Sequence, residues 1–178
     1  MGIDELDDLY SEAILDHRRH PRNRDLLQDA DITADGVNPF CGDEIHLQIR
    51  LDERGRIARV GLQAAGCAIN QAAGSMLTEA IESKTLEEID VLADAFNEMM
   101  RGEAPSDKGQ IRPYASGSSP QQHQPRAASG ERNSYRALPS DLETLSGVRQ
   151  FPVRIKCALL AWDTLDEGIE EHRGGRPR

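Results

Sequence analysis

Nowhere in this chain of 178 residues does an apolar run approach the length of a bilayer span, and the opening stretch from Met1 to Asp8 lacks the basic and apolar regions of a secretion signal. Both absences point to a cytoplasmic protein with no membrane partner. Positive charge is also short. Lys and Arg number 21 against 31 Asp and Glu, a formal charge of −10, which argues against nucleic acid and anionic surfaces as general partners. Cysteine is scarce and odd in number, at three residues. In a reducing compartment that argues against a disulfide framework and toward metal binding or reactive thiols. Disulfides are not needed, because a single domain spanning 1–178 can bury roughly 70% of the surface that its unfolded form exposes.

What the chain does have is centred on Asn38-Pro39-Phe40-Cys41-Gly42-Asp43, which sets a thiol and a carboxylate two positions apart where a strand begins. From Glu44 to Leu51 polar and apolar residues alternate, and extending that register backwards puts Asp43 and Cys41 on the apolar face. An ionised carboxylate facing a core is costly unless something pairs with it, and a cation is the simplest partner for Asp43 and a thiolate together. The other two cysteines are Cys67, after Ala65-Gly66 at the opening of a helical pattern, and Cys157, after Ile155-Lys156 within another. One site of Cys41, Asp43, Cys67 and Cys157 is therefore expected.

Around that site the pattern is helix, sheet, helices. Leu6, Leu9, Tyr10, Ala13, Ile14 and His17 form an amphipathic stripe ending before His20-Pro21, with His17 expected as a packed or capping histidine. The stretch from Leu26 to Val37 should supply an edge strand. The Asp52–Arg56 turn should pair the Glu44–Leu51 strand with a return over Ile57–Gln63, its Ala58, Val60 and Leu62 on one face. The period then changes at Ala64-Ala65-Gly66-Cys67, and Ile69, Ala72, Ala73, Met76, Leu77, Ala80 and Ile81 mark a helix. Cys67 at its N-terminus meets a macrodipole and free amides that suit a thiolate. Thr85-Leu86-Glu87-Glu88 and Ser140-Asp141-Leu142-Glu143 both read as capping boxes. Between them, at about 103–138, Ser, Gly, Gln and Pro dominate, and a flexible insertion is expected there. The last helix opens at Phe151-Pro152, with Ile155, Leu159, Trp162 and Leu165 on its core stripe and Cys157 part of a turn away, pointing beside the core.

In order, Tyr10-Ser11-Glu12-Ala13-Ile14-Leu15-Asp16-His17 with Pro21-Arg22-Asn23, Asn38–Asp43, Gly66-Cys67-Ala68-Ile69 and Pro152–Leu159 resemble the iron–sulfur cluster assembly scaffolds, the family of IscU, SufU and the N-terminal domain of NifU. The resemblance implies an α+β fold, a small three-stranded antiparallel sheet packed against several helices, and a site of three cysteines and one aspartate. These map onto Cys41, Asp43, Cys67 and Cys157. Lys156 stands where the IscU branch has histidine, which looks like the SufU branch, and Asn70 stands where serine is frequent. The SufU branch implies zinc at that site. It also implies a protein that takes sulfur from a pyridoxal-phosphate cysteine desulfurase, SufS-like, and serves downstream iron–sulfur assembly proteins as a sulfur carrier rather than a stand-alone enzyme.

Three readings of the site follow. In the first, zinc holds the thiolates and Cys41, on a loop flanked by Pro and Gly, accepts sulfur by thiol exchange. In the second, the same ligands assemble a transient iron–sulfur cluster. In the third, zinc is structural only. A cysteine hydrolase is disfavoured, because none of the five histidines stands in a recognisable relation to a cysteine.

Overall fold

The computed structural model describes residues 11–102 and 138–174. The first described helix, α1 (Glu12–Arg19), is capped by the Ser11 side chain and leads into β1 (Ile32–Asn38), β2 (Asp43–Leu51) and β3 (Ile57–Ala65). These form one antiparallel sheet in the order β1-β2-β3, so β1 is an edge, as expected. The alternation along β2 decides the sheet's two faces. Asp43, Ile45, Leu47 and Ile49 are buried while the residues between them are exposed or half-buried. On β3 the alternation breaks: Val60 and Leu62 face the core, but Ala58 is exposed. That corrects the single-face expectation for Ala58. A register shift between Arg50 and Leu51 pairs Leu51 with Ile57 and puts an extra residue into the ladder, so the side-chain parity changes on either side of it.

The buried face is covered by a helix lying on β3 and by the last helix, which lies on β1 and β2. In α2 (Ala68–Ile81) every position of the expected stripe is buried. Next comes α3 (Leu86–Arg101), opened by the Thr85/Glu88 capping box and closed by Gly102 in the left-handed region. Its Phe96 stacks on Trp162 of the last helix at 5.1 Å. Burying two such rings contributes on the order of 1.5–3 kcal/mol each.

The second expected capping box does not form. In α4 (Ser140–Thr144) the N-cap residue is Pro139, with no side-chain cap, and Ser140 is already helical. The short helix is held by its buried Leu142, and it continues as a 3-10 turn (Leu145–Gln150) before α5 (Pro152–Gly174). Along α5 the buried stripe is rotated from the expected one. Trp162 and Leu165 are buried as expected, but Ile155 and Leu159 are only half-buried, and Cys157, Ala158, Leu160, Ala161 and Ile169 face inward instead. The helix crosses β1 closely enough that a Cβ on Gly36 would stand 1.9 Å from Thr164 Oγ1.

Nearly all of the expected insertion at about 103–138 lies outside the described residues, as do Leu6, Leu9 and Tyr10. No helix among the described residues is long and apolar enough to cross a membrane.

Candidate metal centre

The turn between β1 and β2 is built by Asn38. Its carbonyl accepts the N–H groups of Cys41 (3.2 Å) and Gly42 (2.8 Å), and its side-chain oxygen accepts the Phe40 N–H (3.2 Å). Gly42, at φ +67°, closes the turn. Cys41 therefore lies in the turn rather than on the strand, half-buried, beside a Phe40 ring that is 80% exposed. Two residues on, Asp43 begins β2 and points inward with no exposed surface.

Asp43 meets the opposite end of the sheet's connection to α2. Its Oδ1 accepts the Cys67 backbone N–H at 2.7 Å, and its Oδ2 lies 3.8 Å from the Cys67 sulfur. Gly66 makes this approach possible. It adopts φ +116°, and a Cβ there would stand 2.1 Å from Asp43 Oδ1 and 2.8 Å from its Cα. Cys67 is the N-cap of α2, and its Sγ accepts the Asn70 N–H at 3.4 Å, so the helix end directs positive charge at the sulfur. The Asn70 side chain donates to the Ala65 carbonyl at 2.8 Å, which ties the helix start to β3.

Cys157 arrives from α5. Its Sγ is 3.6 Å from the Cys41 Sγ, and contrary to the expectation of a side chain beside the core it is fully buried. The reason is the rotated stripe of α5, which turns Cys157 and Ala158 inward together. Burial pushes the Cys157 thiol well up from its ordinary value, and hydrogen bonding with Asp43 and Cys41 pushes the same way. Lys156 extends outward with its ammonium 4.6 Å from the Phe40 ring centre, a cation–π contact joining α5 to the Cys41 turn.

Ligand atoms of Cys41, Asp43 and Cys157 all lie within 4.8 Å of one another, and Cys67 adjoins them through Asp43. The structure thus brings the four expected residues to one place. Their chemistry suits a cation: among the described residues no Lys, Arg or His pairs with the buried Asp43, and three free thiols face it. Three sulfurs and one carboxylate form a soft, four-atom donor set that fits zinc or iron and does not fit magnesium or calcium. His17 is buried, as expected, but it sits away from the thiols, bonded to Ser75 and Asp141. The expectations for this site did not include Phe40. Its only signal was a large apolar side chain next to a cysteine in a turn.

Residues 9–117 match the NifU-like N-terminal domain family. The chain is 34% identical over 171 residues to the zinc-dependent sulfurtransferase SufU of Bacillus subtilis, covering 96% of this chain and 95% of that protein. It is 32% identical over 170 residues to the iron–sulfur cluster assembly scaffold protein IscU of Streptococcus pyogenes, covering 96% and 88%. Among solved structures, a candidate iron–sulfur cluster assembly scaffold for the SUF system from Fervidobacterium islandicum is similar with a TM-score of 0.67 at 26% identity, covering 92% of this chain and 98% of that one. A NifU-like N-terminal protein from Brucella abortus shares the fold alone, with a TM-score of 0.71 at 19% identity, covering 97% and 99%.

Proposed function

This chain belongs to the NifU-like N-terminal domain family, and from that premise we propose that it is a zinc-binding sulfur acceptor in iron–sulfur cluster assembly, working in the cytoplasm with a SufS-like cysteine desulfurase. The observation that carries the reading is the meeting of three free cysteines around the buried Asp43 carboxylate, with one of the three, Cys41, on a turn at the surface. Cys41, Asp43, Cys67 and Cys157 would hold the metal. When bound, zinc supplies the positive charge that keeps buried sulfurs as thiolates and leaves each exchangeable.

The three thiols are not equivalent as acceptors. Cys157 is fully buried within a helix, where a donor protein cannot reach it. The Cys67 sulfur is engaged by the Asn70 amide at the start of α2. Cys41 lies in the turn built on Asn38, which moves more readily than positions inside a helix or a strand. In the reaction the Cys41 thiolate attacks the outer sulfur of the donor's persulfide. A new S–S bond forms at Cys41, the donor's S–S bond breaks, and the donor cysteine leaves as a thiolate, with no net oxidation. Asp43 would offer the metal an oxygen, a less tenacious zinc ligand than a fourth sulfur. The downstream iron–sulfur assembly proteins would take the sulfur from Cys41 by the same exchange.

The test mixes the protein with a SufS-like desulfurase and cysteine, then maps persulfide by mass spectrometry in the wild type and in Cys41→Ser, Cys67→Ser and Cys157→Ser. Persulfide on Cys41, abolished in Cys41→Ser, is expected. Persulfide on Cys67 or Cys157 while Cys41→Ser still accepts sulfur overturns the assignment. The three-thiol donor set favours one other reading, a scaffold for a nascent cluster on the same ligands. Elemental analysis and an absorption spectrum of aerobically purified protein separate the two: colourless with one zinc per chain supports the relay, brown with iron supports the scaffold.

A further inference from the structure

A second set of ligand atoms converges where α1, α2 and α4 meet. His17 of α1 is 1% exposed, and its Nε2 lies 3.2 Å from Asp141 Oδ2 of α4 and 3.7 Å from Glu79 Oε2 of α2, both side chains half exposed. All three ligand atoms fall within 4.8 Å of one another. We propose that His17, Glu79 and Asp141 form a second metal site, sulfur-free and open on one side, for a divalent transition cation such as Mn(II) or Fe(II).

The spacing fits. Two ligand atoms each about 2.0–2.2 Å from one ion stand about 3–3.5 Å apart in tetrahedral or octahedral arrangement, which the 3.2 Å contact meets and the 3.7 Å contact needs only a small shift to meet. The ring is already aimed. Its Nδ1 is 2.9 Å from the buried Ser75 Oγ, which also accepts the Arg22 backbone N–H at 2.8 Å. The hydroxyl oxygen has a second lone pair to accept the Nδ1 proton, which leaves the Nε2 lone pair for a cation. Metal-binding histidines are held in this way, by a partner on the other ring nitrogen. Binding a cation then replaces the Nε2–H contact to Asp141 with two metal bonds: the ring gives up its Nε2 proton through solvent and carries its proton on Nδ1, toward Ser75.

Charge points the same way. Two carboxylates, Glu79 and Asp141, converge on one imidazole. The one cation near them among the described residues is Arg22, whose guanidinium is committed to Asp16 at 2.6 Å and only reaches Glu79 at 3.8 Å. The half exposure of Glu79 and Asp141 leaves room for water in the remaining positions. The donor set of one nitrogen and two oxygens suits borderline and hard cations, in contrast to the thiol site. The two sites are separate, because Cys67 caps the start of α2 and Glu79 lies twelve residues along it, about 18 Å at 1.5 Å per residue.

The probe is Mn(II) alone, added to the full chain already loaded with zinc, because manganese competes poorly for thiolates. Electron paramagnetic resonance of the free ion counts what is bound. Saturable binding of one Mn(II) per chain is expected, weakened about tenfold or more in Asp141→Asn and in Glu79→Gln, with zinc content unchanged. His17→Gln replaces a buried side chain and could unfold the protein, so the two half-exposed carboxylates carry the test. No saturable binding at millimolar Mn(II), or equal affinity in both carboxylate variants, overturns the proposal. So does a lower melting temperature in Asp141→Asn with no manganese bound by the wild type, since the cluster would then be a plain hydrogen-bonded clamp.

Discussion

Asp43 and Asp141 are both carboxylates brought by distant elements against groups that could share a cation, yet their surroundings are opposite. Asp43 has no exposed surface, accepts one backbone N–H, and faces three thiols, none of which offsets its charge. Asp141 is half exposed and already has a hydrogen-bonding partner in His17. A buried, unpaired carboxylate is a burden until a cation or a proton neutralises it, whereas a half-exposed carboxylate beside an imidazole is mildly stabilising by itself. The thiol site should therefore be tightly linked to folding and the histidine site only loosely.

The largest expected effect is metal removal from the thiol site. Its ligands come from a turn, a strand, a helix start and a long helix, so chelation loosens distant parts of the chain at once. Zinc in small structural sites contributes on the order of 10 kcal/mol, and a domain with its own core keeps part of its structure without it. A substantial fall in melting temperature is expected after verified zinc removal, and an unchanged melt would show that the thiol site is not linked to folding.

Next in size is Gly66→Ala. The added Cβ overlaps Asp43, at 2.1 Å from Oδ1, and φ +116° is closed to alanine. Backbone strain of this kind costs roughly 1–3 kcal/mol, and the displaced Asp43 should also release metal. Calorimetry together with zinc content tests this; full zinc retention would mean that the Asp43–Gly66 approach is not needed for the site.

In metal-free protein, paired substitutions of Asp43 and Asp141 should act in opposite directions. Asp43→Asn keeps an acceptor for the Cys67 amide but removes the buried charge, so its melting temperature should stay level or rise. Asp141→Asn weakens a contact to His17 and should lose about 1 kcal/mol. Two losses of similar size would show that Asp43 is compensated in a way that its burial does not reveal. Smallest of all is Phe40→Ala. Its ring is 80% exposed and stands 4.6 Å from the Lys156 ammonium, so stability should change by about 0.5–1 kcal/mol in a chemical denaturation curve. A larger loss would mean that the ring, and not Asn38, organises the Cys41 turn.

Much of the fold was legible because its signals are local. The alternation of Glu44 to Leu51 implied a half-buried strand, and the stripe from Ile69 to Ile81 implied a buried helix face. Both follow from periods of 2 and 3.6 residues that no tertiary contact alters. Capping shows where that legibility ends. Thr85-Leu86-Glu87-Glu88 forms its box, while the equally good pattern at Ser140-Asp141-Leu142-Glu143 does not. There the chain enters the helix one residue earlier, from Pro139, and Asp141 is drawn to His17. The rotation of α5 escaped a periodic reading for a similar reason. Ile155 and Leu159 are apolar enough for the core, but packing against β1 and α2 selected the adjacent face instead.

By itself, then, the sequence determined the elements, the inward aim of Asp43 and the position of Cys67 at a helix start, each from residues within a few positions of one another. The tertiary structure alone decided that Cys157 turns fully inward and stands 3.6 Å from Cys41, a residue 116 positions away, and that His17 meets Asp141 across 124 positions. Side-chain periodicity reports which face a residue occupies on its own element. Which faces meet is settled only when helices and sheet bury their apolar surfaces together, and that choice depends on the whole core at once.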